Sequence, residues 1–245
     1  MPLNKIFRPD ANYELVRVGR FNDGGYLVGK NSINTTEYLI SMGLDLDWSF
    51  EESFKKKNDK INIICFDDNL DKKFILKKII IQIILIIFNR NLKYLFSLIK
   101  NFINFNFFIR KVKYQKKRIN YGDILKIQNN INNLFFKIDI EGSEYRILDE
   151  LIKIKDKITG IIIEFHDVDL HVTKIENFIN NIGLKLIHIH PNNFGGLDRF
   201  GNPNLIELTF EKKPILLNET NILPHKHDMK NNPHSDDINL IFNTN

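Results

Sequence analysis

The chain is nearly without cysteine. Its one thiol, Cys65, cannot close an internal disulfide and cannot build a CxxC metal or redox site. That fits a reducing, cytoplasmic setting. The start, Met1-Pro2-Leu3-Asn4-Lys5, has none of the apolar core of a secretory signal. The longest apolar run, Ile79 to Phe88 broken only by Gln82, is too short to cross a bilayer, which takes about 20 residues. A third absence is more local: residues 72–118 hold no Asp or Glu.

What is present is enough for a real core. The 245 residues are 43% apolar and 11% aromatic, which excludes a wholly disordered chain, a collagen-like chain and a small stapled scaffold. The length suits one domain with an embellishment. With 40 isoleucines, β-branched enrichment says little about strands, so periodicity must decide.

Charge is divided between two regions. Residues 72–118 carry 13 of the 35 Lys and Arg, which leaves 22 basic against 30 acidic side chains elsewhere. An acidic body therefore bears one basic segment. In it, Leu92, Leu95, Phe96, Ile99, Phe102 and Ile103 recur at helical spacing, with Lys93 and Lys100 off the stripe. The segment, about 72–117, reads as a helical insertion. It either packs on the body or lies as a basic amphipathic surface on anionic membrane. No RNA or DNA recognition motif accompanies it, so no nucleic-acid partner is expected.

Outside the insertion, strands and helices alternate. Strands are expected at Tyr38–Met42, Ile61–Phe66, Leu134–Ile138, Ile158–Phe165, Leu184–His190 and Asn204–Phe210. Ser49 with Glu52 and Thr173 with Glu176 form capping boxes that should open helices. Val172, Ile175, Phe178, Ile179 and Ile182 supply a buried helical face, stopped by Gly183. Gly142-Ser143 opens another helix, and Asp23-Gly24-Gly25 reads equally as a hairpin turn and as a ligand contact. This pattern implies an α/β fold: a mostly parallel sheet with helices on both faces. The domain is expected at 1–212, with 213–245 as a polar tail in which His225, Lys226 and His227 are solvated.

In such sheets ligands bind at the carboxyl ends of the strands. Gly43, Asp67, Asp139, Glu141, His166 and His190 all lie there. Gly43 and Asp67 are 24 residues apart, near the roughly 20 of a nucleoside site whose acid accepts the ribose hydroxyls. The loop Ser41-Met42-Gly43-Leu44-Asp45-Leu46-Asp47 is not GxGxxG, so a pyrophosphate finds no cradle. A nucleoside cofactor without phosphate fits better, and S-adenosylmethionine is the common one. Gly43, Asp45, Asp67 and Asp139 are its expected contacts. Negative charge at Asp139 and Glu141 would suit its sulfonium. His166 and His190 end strands on the same edge and are candidates for a base that deprotonates an acceptor. With a carboxylate they could also hold a cation, though no metal is assigned.

The string Lys137-Ile138-Asp139-Ile140-Glu141-Gly142-Ser143-Glu144 resembles the signature of the FkbM-type S-adenosylmethionine-dependent methyltransferases. Arg17-Val18-Gly19-Arg20, Asn22 to Tyr26, Ile163 to His166, His188 to Asn193 and Pro203 to Phe210 resemble other pieces of that family, in family order. The resemblance covers roughly 13–70 and 118–212. It implies a Rossmann-like class I methyltransferase fold with a seven-stranded sheet. It also implies O-methylation, commonly of sugars in surface glycans or of natural products, and a sugar hydroxyl of a surface glycan or glycolipid precursor is the expected acceptor. On that reading Asp139, Glu141, His166 and His190, all at the ligand edge, are the expected catalytic residues. The cofactor loop and the insertion depart from the family pattern. The expected location is cytoplasmic, with peripheral attachment to the inner membrane face through 72–117. Two rivals stand beside this reading: a non-catalytic adaptor of the same fold, and a metal-dependent hydrolase built on the His/Asp cluster.

Overall fold

The computed structural model describes residues 2–89 and 92–243, without the side chains of 86–89, where the apolar run ends. In chain order the elements are β1 (Asn12–Tyr13), β2 (Leu15–Val18), β3 (Tyr26–Gly29), α1 (Lys30–Thr35), β4 (Tyr38–Met42), α2 (Ser49–Lys57), β5 (Asn62–Asp67), α3 (Lys72–Asn89) and α4 (Leu92–Phe108). There follow β6 (Lys113–Lys116), α5 (Asp123–Ile127), β7 (Leu134–Ile138), α6 (Leu148–Lys153), β8 (Ile158–Phe165), α7 (Val168–Asn181), β9 (Lys185–Pro191), β10 (Ile206–Glu211) and β11 (Leu216–Asn218).

Seven strands form one sheet in the order β6-β5-β4-β7-β8-β10-β9. All run parallel except β10, which is antiparallel to both neighbours. The order reverses between β4 and β7, so the βα loops there diverge and leave a crevice. This is the Rossmann-like methyltransferase arrangement that the sequence led us to expect.

The strands alternate two cores. Ile40, Phe136, Ile161 and Ile163 face α6 and α7, where Leu151, Ile175 and Phe178 are fully buried. Leu39, Phe135 and Ile162 face the other way, against α2 and the β2–β3 hairpin. Phe54 and Phe135 pack there with ring centroids 5.2 Å apart. Burying each such ring contributes about 2–3 kcal/mol. Residues 19–25 link the paired strands β2 and β3, so Asp23-Gly24-Gly25 does make a hairpin connection.

Four expectations need correction. Ser49 is inside α2 and makes no cap; Asp47 Oδ1 instead accepts from Ser49 N at 3.0 Å. Helix α7 begins at Val168, a turn before the Thr173 box, because Val168 is drawn into the core and its N–H donates to Asn204 O. The basic segment is more than an insertion: its last part is edge strand β6, paired with β5 and kept polar as sheet edges usually are. The segment 213–245 is not a loose tail. β11 pairs with β1, Leu3 bridges Phe242, Asn231 is buried, and the Asp228 side chain is nearly enclosed.

Candidate functional site

A cleft of 420 Å³ opens at the strand reversal between β4 and β7. It is lined by Gly43, Asp45, Asp67, Asp139 and Glu141, five of the residues singled out in the sequence. Asp47, Asp68 and Glu51 add carboxylates, and Phe50, Phe66, Leu70 and Ile119 add apolar walls. Among the described residues, His166 and His190 are not in its lining.

Gly43 has φ +80°, and a Cβ there would overlap the Asp139 carbonyl oxygen. Two loops thus touch backbone to backbone, which only glycine permits. What glycine admits here is the neighbouring loop. Asp67 is a brace. Its Oδ2 accepts from Leu44 N and Asp45 N at 2.9 and 3.1 Å, and its Oδ1 from Asn69 N and Leu70 N at 2.9 and 2.6 Å. It ties the β4–α2 loop to the end of β5.

Asp139 sits between donors. Tyr26 Oη donates to its Oδ2 at 3.2 Å, and Lys137 Nζ stands 3.4 Å from the same atom while also donating to the Gly43 carbonyl. Lys137 is buried, which by itself would lower its pKa; the charges of Asp139, Glu51 and Glu164 outweigh that and raise it. Asp139, Glu164 and His166 bring one ligand atom each to within 4.8 Å of one another.

His166 lies between two carboxylates. Its Nε2 is 3.3 Å from Glu141 Oε2 and its Nδ1 3.3 Å from Glu144 Oε1. Burial would depress its pKa, but the Glu144 hydrogen bond and charge, helped by Glu164 and Asp139, raise it to about 9. At neutral pH it is an imidazolium, which is no proton acceptor, so this geometry does not support His166 as the base. Glu141 is exposed at the lip, with φ +51°.

His190 is buried outside the cleft lining. It is 5% exposed, with Nε2 3.0 Å from Asn231 Oδ1, and burial lowers its pKa. His166 and His190 thus join separate groups: the second contains His188, His190 and Asp228.

Sequence reasoning missed Glu164, Glu207 and Asn231. Glu207 pairs with Glu164 on one side and His190 on the other, so three polar side chains share a row across β8, β10 and β9. Burial, then the charges of Asp139 and Glu207, push Glu164 well above the carboxylate range. Burial pushes Glu207 up to about 8. For Glu164 the available signal was a lone acid inside an apolar strand run; for Glu207 it was an acid in the polar alternation of Ile206–Glu211.

No protein-family model matches this chain, and no curated protein matches it. It is similar to the solved precorrin-6y C5,15-methyltransferase from Geobacter metallireducens GS-15, with 12% identity, 74% of this chain and 84% of that chain covered, and a TM-score of 0.41. It is similar to M. capricolum TrmK in complex with S-adenosyl-homocysteine, with 13% identity, 75% and 66% covered, and a TM-score of 0.38. It is also similar to the Methanococcus jannaschii fibrillarin pre-rRNA processing protein, with 8% identity, 83% and 84% covered, and a TM-score of 0.42. At these values the likeness says nothing of reaction or acceptor.

Proposed function

We propose that the chain is an S-adenosylmethionine-dependent O-methyltransferase acting on a sugar hydroxyl. The observation that carries the cofactor is the acid-lined cleft at the strand reversal. Its volume lies in the range of small-ligand sites. Its eight carboxylates outnumber the four cations Arg20, Lys117, Arg118 and Lys137 that share the lining, a balance that suits a cationic sulfonium, and Phe66, Leu70 and Ile119 offer an apolar bed for a base. Gly43, Asp45 and Asp67 would border the nucleoside, and Asp139 and Glu141 the methyl and the acceptor. What supports a sugar acceptor, and the FkbM-type family, is the ordered set of motifs in the sequence.

Bound S-adenosylmethionine supplies an electrophilic methyl group. The chain's part is to align the acceptor oxygen and take its proton. Asp139 is our base, since it lines the cleft. With the cofactor held beside Gly43, Asp45 and Asp67, its sulfonium would supply the methyl group and Asp139 would take the proton that the acceptor gives up. His166 and Lys137 contribute positive charge beside that carboxylate. His190, which is not in the cleft lining, is given no part in this reading.

One observation favours the adaptor reading: four backbone N–H groups already occupy both Asp67 oxygens. Calorimetric titration with S-adenosylmethionine, with NAD as control, separates the two. Micromolar binding of the former alone is expected, with at least roughly tenfold weaker binding by Asp67→Asn. No binding by folded protein overturns the enzymatic reading. With glycan acceptors, Asp139→Asn should lose about 100-fold or more in turnover at nearly unchanged cofactor affinity.

We also propose that α3 and α4 lie on anionic membrane. Ile80, Ile83, Ile84, Phe96 and Phe107 are each more than half exposed, on helices without one acidic residue. No helix among the described residues is long and apolar enough to cross a membrane. A surface both apolar and basic suits the headgroup region. The chain should co-sediment with phosphatidylserine vesicles and release as salt rises; no binding at low salt ends the idea.

A further inference from the structure

The second histidine group has the geometry of a metal site. His188 and His190 are two apart on β9, so both rings leave the same sheet face. Asp228 reaches them from the C-terminal segment. His188 Nε2 is 2.9 Å and His190 Nδ1 3.7 Å from Asp228 Oδ1. All three ligand atoms lie within 4.8 Å of one another. Donors held about 2.1 Å from a common ion in tetrahedral array stand roughly 3.4 Å apart, so the two distances bracket that spacing.

The two ring nitrogens are the second observation. Both histidines are more than nine-tenths buried, yet neither His188 Nε2 nor His190 Nδ1 has a hydrogen-bond partner. His188 Nε2 still lies 2.9 Å from Asp228 Oδ1, close enough for an ion pair, so His190 Nδ1, 3.7 Å away, is the clearer orphan. A buried polar atom without a partner costs about 1–3 kcal/mol and calls for an explanation.

The surrounding contacts set the ring state. Asn231 Nδ2 donates to Glu207 Oε1 at 2.7 Å, which turns Asn231 Oδ1 toward His190. An amide oxygen only accepts, so His190 Nε2 must carry the proton that it shares at 3.0 Å. In the neutral ring Nδ1 is then a lone pair, aimed at a carboxylate oxygen. Lone pair against carboxylate is repulsive unless a cation stands between them. Metal-binding histidines are typically held in this way, by a partner on the far nitrogen. Asp228 is held as well: its Oδ2 accepts from His225 N at 2.7 Å.

We propose that His188 Nε2, His190 Nδ1 and a carboxylate oxygen of Asp228 bind a divalent transition-metal ion of the zinc type. Two imidazoles and one carboxylate suit such an ion and do not suit Mg²⁺ or Ca²⁺. The fourth position belongs to water. The His225 ring, centred 5.9 Å from that of His188, is the nearest further imidazole. The ion acts as a clasp that fastens the C-terminal segment to β9. Through Asn231, which reaches Asp23 Oδ1 at 3.4 Å, the clasp also fixes one wall of the cleft. This site stands apart from Asp139, Glu164 and His166 and does not depend on methyl transfer.

The test uses the full chain, purified without a polyhistidine tag and without chelator. Elemental analysis should find about one equivalent of zinc-type metal. Dialysed protein should take up Zn²⁺ at micromolar concentration, and Co²⁺ should give a visible absorption band. Asp228→Asn and His190→Gln should each weaken binding by at least roughly 100-fold. Glu164→Gln should bind as the parent does. Absence of uptake by folded parent protein overturns the site. So does unchanged binding in Asp228→Asn, or metal lost from Glu164→Gln and kept in Asp228→Asn. Should the variants fail to fold, the parent decides: chelator must lower its melting temperature and Zn²⁺ restore it, and no shift overturns the clasp.

Discussion

His166 follows β8 and His190 lies near the end of β9, with β10 between them, and their protons behave in opposite ways. His166 is wedged between Glu141 and Glu144 and is raised to about 9. His190 is more deeply buried, faces an amide oxygen and a carboxylate shared with His188, and is lowered. Burial acts on both in the same sense. The difference is whether a carboxylate is placed to form a hydrogen bond with the ring. A strand-end histidine therefore carries no role of its own; its neighbours assign one.

The heaviest way to break this contrast is Asp228→Ala. It strips the carboxylate paired with two buried rings and removes the acceptor of His225 N. Unfolding free energy from urea titration should fall by roughly 3 kcal/mol. A loss within error would mean that the two rings do not need it.

Glu144→Gln attacks the other end. The His166 proton, followed by NMR, should titrate well below 9, and stability should drop by about 2 kcal/mol. Titration still near 9 would shift the credit to Glu164 and Asp139. The pH dependence sharpens the comparison. A histidine raised in the fold stabilises fully below its unfolded value, about 6.5, and that stability is lost as pH climbs through about 9. Glu207, raised from the ordinary carboxylate value of 4.5 to about 8, is protonated in the fold, and the stability tied to that proton is lost across the window between those two values. His190 and His225, the latter lowered to about 4 by burial and His188, refuse a proton that the unfolded chain accepts. These two rings pull stability down as pH drops below about 6.5, while Glu207 and Glu164 pull the other way until they are protonated in the unfolded chain as well. Glu144→Gln should shorten the alkaline limb and spare the acid one; the reverse would dissolve the contrast.

The mildest change is Tyr26→Phe. Its hydroxyl bridges Asp139 and lies 3.5 Å from Glu164. About 1 kcal/mol should be lost, with the His190 titration unmoved.

The parallel strands were legible because each is a continuous apolar run between turn residues, as Leu134–Ile138 and Ile158–Phe165 show. Half of the site was legible for a related reason: Gly43, Asp67 and Asp139 stand where those runs stop. The rest was hidden by distance along the chain. Glu164, Glu207 and His190 become one row only through antiparallel β10, whose direction no local pattern announces. Asp228 and Asn231 lie about forty residues from the histidines they meet, in a stretch without periodicity. Strand β6 was masked by its own charge, since Lys113 and Lys116 read as surface.

The late position of Asp228 has a consequence for biosynthesis. Chains emerge from the ribosome N-terminal end first. All seven strands of the main sheet are made before residue 212. For a time the nascent chain can hold a complete sheet whose histidine row is still open to solvent. Its closure waits for the last stretch to be delivered, so a pause or truncation between β10 and Asp228 would release a chain with its strands built and its polar row bare.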